Sequence, residues 1–184
     1  MPLPLTHPRG YYALIHPSHV SKKWFPFLKE EETQIFSPRV EGILTKIRDI
    51  RKLWPGEKIV VVSEFVLFLD IIKEAIERRS KTDPNLGIRL AEYNGTINLE
   101  ERSRVQYTFN LPTGGPEVLL LTAGAGGVGL NVARATHINT EPFWTLWKLN
   151  QVIRRARWLP QDKTVHIWHM RAHPSEIDLF VLNR

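Results

Sequence analysis

Four apolar residues, Val118 to Leu121, end in Thr122 and open into Ala123-Gly124-Ala125-Gly126-Gly127-Val128-Gly129-Leu130-Asn131. Without Cβ atoms, such a turn brings its main chain close to a phosphate or to another backbone. Farther along, Gln151-Val152-Ile153-Arg154-Arg155-Ala156-Arg157-Trp158-Leu159-Pro160-Gln161 concentrates three arginines. Guanidinium groups are planar, permanent cations matched to phosphate oxygens. The two segments together point to phosphate-handling chemistry. A tight strand-to-turn connection also needs glycine whatever binds, so a purely structural role for the glycines stays open at this point.

The surrounding elements must position these groups. Ser37-Pro38 reads as a helix start, with Ser37 as N-cap and proline at the first helical position. Ile43, Leu44, Ile47 and Ile50 then recur at helical spacing. Continuous apolar runs predict buried strands at Lys58–Ser63 and Val118–Thr122, with further strands over 88–93, 136–139 and 164–170. Helical patterns are predicted over 66–76, 99–109, 145–157 and 175–182. Alternation of buried strands with amphipathic helices predicts an α/β fold, with a mostly parallel sheet of five or six strands between two helical layers. Residues 1–36, with five prolines before Phe27, read as an irregular aromatic arm ahead of a domain covering 37–184.

Composition narrows the classes. The 184 residues suit one domain, and a 42% hydrophobic content supplies a core. There is no cysteine, so disulfide frameworks and thiolate metal sites are excluded. No apolar run approaches the roughly 20 residues that a membrane helix requires. A soluble, intracellular protein without membrane attachment is expected. The net charge of +6 makes an anionic partner plausible.

In order along the chain, these pieces resemble the second RecA-like lobe of Swi/Snf-type DNA-dependent ATPases of helicase superfamily two, in a fungal-like variant. Lys58 to Phe65 with Leu67 to Ile72 resembles the lobe's first strand and helix. Tyr93-Asn94-Gly95-Thr96, Glu100-Glu101-Arg102 and Phe109-Asn110 resemble its next motif. Thr122 to Asn131 resembles its "TAG-x-GG-x-GLN" segment. Glu141, Trp144 and Gln151 fall on its acidic–tryptophan–glutamine stretch. The resemblance implies a three-layer RecA-like fold and ATP-dependent translocation on duplex DNA, with chromatin remodelling in the nucleus. It implies ATP and Mg²⁺ held jointly with a first lobe, which sandwiches the nucleotide. By the same resemblance, Gln151 and Arg155 are catalytic. Gly127, Gly129 and Asn131 join them around the nucleotide. Ser63, Thr122, Gly124, Gly126 and Arg154 face the DNA backbone.

The arginine motif departs from the family pattern "Q-x-x-G-R-x-x-R-x-G-Q". Gln151 and Gln161 are ten apart, which fixes the register. Arg155 then matches the first arginine, and Trp158 replaces the second, the finger expected to meet charge on the γ-phosphate. Trp158 offers one neutral N–H. Arg157 is one helical step, about 100°, away and is a weak substitute. Leu149 stands where the family has glutamate. No G-x-x-x-x-G-K-[ST] loop occurs, so no lysine cradles β- and γ-phosphates. The 184 residues alone are expected to bind DNA weakly, to use no cofactor and to hydrolyse no ATP. The alternative is a degenerate lobe acting as a protein-interaction module, or a gene fragment without catalysis. A superfamily-two RNA helicase lobe is a third reading, distinguishable by the different grooves of A-form duplexes.

Weaker signals point elsewhere. His166, His169 and His173 lie close in sequence, yet on a strand His166 and His169 point to opposite faces, so ordinary strand-edge histidines are expected and metal is not. Val66 to Asp70 mimics an apolar strand ending in a Mg²⁺-binding aspartate, but its spacing is helical. Trp144, Trp147, Trp158 and Trp168 suit a core better than a base-stacking platform.

Overall fold

A computed structural model describes residues 29–30, 34–83, 87–125, 129–143, 146–157, 161–173 and 175–183. Its elements run α1 (Pro38–Leu53), β1 (Lys58–Ser63), α2 (Val66–Thr82), β2 (Leu90–Tyr93), α3 (Leu99–Phe109), β3 (Val118–Thr122), β4 (Ala135–Thr140), α4 (Leu146–Ala156), β5 (His166–His169) and α5 (Glu176–Leu182). The five strands form one sheet in the order β2-β3-β1-β4-β5. Every pairing is parallel. The expected α/β class with helices on both faces is therefore the observed one.

Strand periodicity sorts the two layers. Ile59, Val61, Val118 and Leu120 face α1 and α2, whose Ile43, Ile47, Ile50, Phe68 and Ile72 fill that side. Val60, Val62, Leu119, Leu121 and Ile138 face α3 and α4 through Val105, Phe109, Leu149 and Val152. Because both faces are covered, β1 and β3 are buried at every position. That is why they read as unbroken apolar runs rather than alternating ones.

Local signals fixed the first helix as expected. The Ser37 side chain accepts from Val40 N, and Pro38 occupies the first turn. Such a cap contributes about 1 kcal/mol. Ile35 is already fully buried in the core, and Arg79 lies over the Phe36 ring at 4.8 Å, so ordered packing begins before the expected boundary at Ser37. The other expectations for the arm fall on residues 1–28 and 31–33, outside the described residues.

Several boundaries differ from expectation. Helix α2 runs to Thr82 although its buried residues stop at Ile76. Its last turns are held by polar contacts instead, an Arg78–Glu74 pair at 2.9 Å and an ion pair from Arg79 to Glu41 on α1. β2 begins at Leu90 rather than 88, since the ladder with β3 opens at the Leu90–Val118 pairing. β5 contracts to His166–His169, while β4 extends to Ala135–Thr140.

Candidate nucleotide and nucleic-acid interface

The connection from β1 leads toward β2, on one side, while that from β4 leads toward β5, on the other. Neighbouring strands whose connections part in this way open a crevice at their carboxyl ends, where α/β sheets bind ligands. Ser63 ends β1, and Glu141 directly follows β4. Their side chains meet there: Ser63 Oγ donates to Glu141 Oε1 and accepts from Phe65 N at 2.9 Å. On the opposite side of the carboxylate, Arg39 Nη1 donates to Glu141 Oε2 at 3.3 Å, and Arg39 Nη2 pairs with Asp178 Oδ2. Asp178 also accepts from Ala172 N at 2.8 Å. One buried network thus joins α1, the ends of β1 and β4, and α5. Burial pushes Glu141 up to about 7, against the lowering effects of Ser63 and Arg39.

Thr122, at the end of β3, is buried and donates to Tyr93 O at 3.3 Å. Ser63 and Thr122, expected to face DNA, thus spend their hydroxyls on internal partners here. Beyond Thr122, Gly124 is exposed, and a Cβ there would meet nothing within 4 Å. Gly129 has φ +74°, a left-handed conformation that favours glycine for steric reasons. Gly126, Gly127 and Trp158, with Trp144, lie outside the described residues.

Helix α4 carries the arginine cluster. Leu149, Val152 and Ala156 bury one face. Gln151 and Arg155, four residues apart, share a half-buried flank, and Arg154 and Arg157 are exposed. Burial lowers the Arg155 guanidinium pKa, and the nearby Tyr93 opposes that. Lys148 Nζ ties the start of α4 to Glu64 at 2.9 Å, just past β1. The arginine flank is therefore anchored to the same carboxyl edge as Ser63 and Thr122.

Asn131 behaves differently. Its N–H donates to Gln106 Oε1 at 3.0 Å, its carbonyl accepts from Asn110 Nδ2 at 2.8 Å, and its side chain accepts from Ala133 N at 2.9 Å. With Lys58, the first residue of β1, it lines a 440 Å³ pocket. Asn131 thus ties the loop after the glycine turn to the end of α3, beside the amino end of β1.

Sequence reasoning missed Arg39, Asp178 and a ring stack on the α1 side. His137 and His166 stack with centroids 5.0 Å apart, flanked by Trp54 and Trp168. Trp168 Nε1 donates to His137 Nδ1 at 3.3 Å, and Lys46 lies 4.0 Å from the Trp168 ring. Only the apolar/aromatic alternation His166-Ile167-Trp168 hinted at such a stack.

Burial, then His166 and Lys46, hold the His137 pKa below 6.5, against the pull of Glu57 at 3.6 Å. A histidine with a depressed folded pKa binds fewer protons folded than unfolded. Its stabilising contribution is full above pH 6.5 and is lost as pH falls through the folded value. Urea midpoints measured from pH 7.5 down to 5 should therefore fall less for His137→Phe than for the wild type. Parallel profiles would show that another group sets the acid limb.

Among the described residues, no group of three or more His, Asp or Glu side chains is arranged to hold a metal, and no helix is long and apolar enough to cross a membrane.

Comparison with known proteins adds three findings. Residues 44–158 match the helicase conserved C-terminal domain. An ATP-dependent helicase of Schizosaccharomyces pombe is 30% identical over 87% of this chain, and DNA repair protein rad8 of the same yeast is 33% identical over 71%. The chain spans only 14% and 11% of those two relatives. The crystal structure of the C-terminal part of the Fun30 ATPase domain superposes with a TM-score of 0.69 at 19% identity. That likeness covers 94% of this chain and 52% of that one, and bears on the fold alone.

Proposed function

The chain belongs to the helicase conserved C-terminal domain family, and as a lobe of the Swi/Snf type we propose that it is the second motor half of an ATP-dependent duplex-DNA translocase. One observation carries this reading: Ser63 and Thr122 at the paired carboxyl ends of β1 and β3, Gly124 just beyond Thr122, and basic helix α4, tied through Lys148 to Glu64, lie at one edge of the sheet. A site assembled from strand ends and a basic helix flank suits phosphates, both of a nucleotide and of a nucleic-acid backbone.

In this reading, a first lobe supplies the phosphate loop, Mg²⁺ and the other wall of the nucleotide site. Gln151 and Arg155 close over the nucleotide, and Arg154 and Arg157 meet DNA phosphates. The 184 residues, with no phosphate-loop lysine, bind DNA weakly and turn over no ATP unaided. A nuclear, chromatin-associated setting follows from the same reading. The rival, a lobe kept as a protein-interaction module, draws on Trp158 and Leu149 at motif positions.

DNA affinity gives the direct test. Binding of a 20-base-pair duplex, followed by fluorescence anisotropy, should weaken steeply with salt, because each phosphate neutralised contributes roughly −0.9 to the log–log slope. Arg154→Ala should weaken binding and flatten that slope by about 1. A duplex that fails to bind at low salt would sink the nucleic-acid reading.

A further inference from the structure

Strand β2 is the edge of the sheet, paired on one side with β3. The Arg89 carbonyl accepts from Glu117 N, and that of Tyr93 from Thr122 Oγ1, so both face β3. Strand groups alternate with period two. The main-chain N–H and C=O of Leu90 and Glu92 therefore point away from β3, presenting an edge that is unpaired among the described residues.

That edge is sunk in a slot. A 780 Å³ groove is lined by Leu90, Ala91 and Glu92 in succession, by Asp70 of α2 and by Glu101 and Arg104 of α3. Consecutive strand residues share the lining because the groove runs along the strand, with a helix on each side.

The slot is acidic, although the chain is net basic at +6. Its lining charges are Asp70, Glu92, Glu101 and Arg104. Three of the four have partners: Lys73 pairs with Glu92, and Arg104 and Glu101 pair with each other at 3.3 Å. Asp70 is different. Its side chain is only 6% exposed, and among the described residues its carboxylate has neither a hydrogen bond nor an ion pair. Burial first, and Glu92 second, push its pKa up to about 6, against the opposing pull of Lys73. A buried carboxylate without a partner is costly to keep charged, and it gains most from an incoming cation.

We propose that this slot binds an extended peptide segment bearing a lysine or arginine, which adds to the free edge of β2 while its cationic side chain meets Asp70. Main-chain bonds to Leu90 and Glu92 supply affinity, and the cation supplies selectivity. The occupant is a basic stretch of a partner protein, since an acidic slot repels a nucleic-acid backbone. The proposal is independent of ATP turnover and of DNA binding on α4, so either reading can fail without the other.

The test uses the full chain and a fluorescein-labelled heptapeptide, acetyl-Thr-Val-Thr-Arg-Val-Thr-Val-amide, followed by anisotropy. Three results are expected: saturable binding, at least tenfold weaker binding when glutamate replaces the arginine, and a similar loss when alternate amides are N-methylated. Asp70→Asn, close in shape and free of the buried charge, should weaken the peptide about fivefold or more while the urea midpoint stays at or above that of the wild type, since the cost of the buried charge is removed. Equal binding of the arginine and glutamate peptides, or an unaffected Asp70→Asn, would overturn the cationic site. Full binding by the N-methylated peptide would overturn strand addition. Sedimentation velocity without peptide covers the remaining occupant: a concentration-dependent dimer abolished by Leu90→Pro would assign the edge to a second copy and overturn the partner proposal. Proline is tolerated at the first residue of an edge strand, so this variant keeps the fold.

Discussion

Trp158→Arg, mixed with a Swi/Snf-type first lobe, ATP, Mg²⁺ and duplex DNA, is expected to hydrolyse ATP about 10³-fold or more faster than the wild type in the same mixture. The argument begins with register: Gln151 and Gln161 are ten residues apart, which puts Trp158 where the resembling family has its finger arginine. Transferring a γ-phosphoryl group spreads negative charge over three oxygens, and a finger arginine meeting them contributes roughly 10³–10⁵ in rate. That corresponds to about 4–7 kcal/mol of barrier. An indole N–H donates one neutral hydrogen bond and places no positive charge there. Arg157 is adjacent in sequence, but the ten-residue spacing of Gln151 and Gln161 puts the finger at position 158 and not at 157. Steady-state ATPase assays with wild type, Trp158→Arg and Arg155→Ala/Trp158→Arg separate the roles. The last variant should return to background, because Arg155 holds the other motif position. If Trp158→Arg stays silent with a competent first lobe, the second lobe has lost more than its finger, and the interaction-module reading takes precedence.

Much of this was legible in the sequence because the decisive signals are local. The runs at Lys58–Ser63 and Val118–Thr122 announce strands buried on both faces, and both ends of each were read correctly. Asn98, whose side chain accepts from Glu101 N, starts α3 at Leu99 as expected. Periodicity failed where polar contacts replaced burial, as in the last turns of α2. The candidate site was legible as an ordered set of motif positions, but its internal bonding was not. Nothing near Ser63 indicates that its hydroxyl is committed to a carboxylate 78 residues away. Arg39 and Asp178 are separated by 139 residues and read locally as ordinary polar positions in first helical turns. Asp70 shows the same limit from another side. Helical spacing placed it on α2, as observed, but spacing says nothing about a buried carboxylate without a hydrogen bond in a groove. Pairing of distant polar groups is decided by topology, and a single chain carries no pattern for it.

Arg39→Met is expected to cost about 3–5 kcal/mol, among the largest losses available to a single surface-distant substitution here. Arg39 is 3% exposed and is the cation between Glu141 and Asp178, each 1% exposed. Methionine roughly preserves the aliphatic volume but leaves two carboxylates facing each other without a counter-charge. For a domain of this size, the loss corresponds to a fall in Tm on the order of 10 °C. The pH dependence distinguishes charge from packing. Without Arg39, the folded pKa of Glu141, already near 7, loses an influence that lowers it and rises further. A folded pKa above the unfolded one gives stability that is present at low pH and lost as pH rises through the folded value. The deficit of Arg39→Met should therefore be smallest near pH 5 and grow toward pH 8. Adding Glu141→Gln should recover part of it at pH 8 and little at pH 5, a coupling that a double-mutant cycle reads directly. Urea midpoints at those two pH values are the measurement. A deficit independent of pH would assign the loss to packing of α1, and a deficit below about 1 kcal/mol would show that α1 and α5 are held on the sheet by their apolar contacts alone. If the charge account holds, hydrogen exchange in α5 should rise in Arg39→Met ahead of global unfolding, because Asp178 is the buried charged residue by which that helix reaches α1.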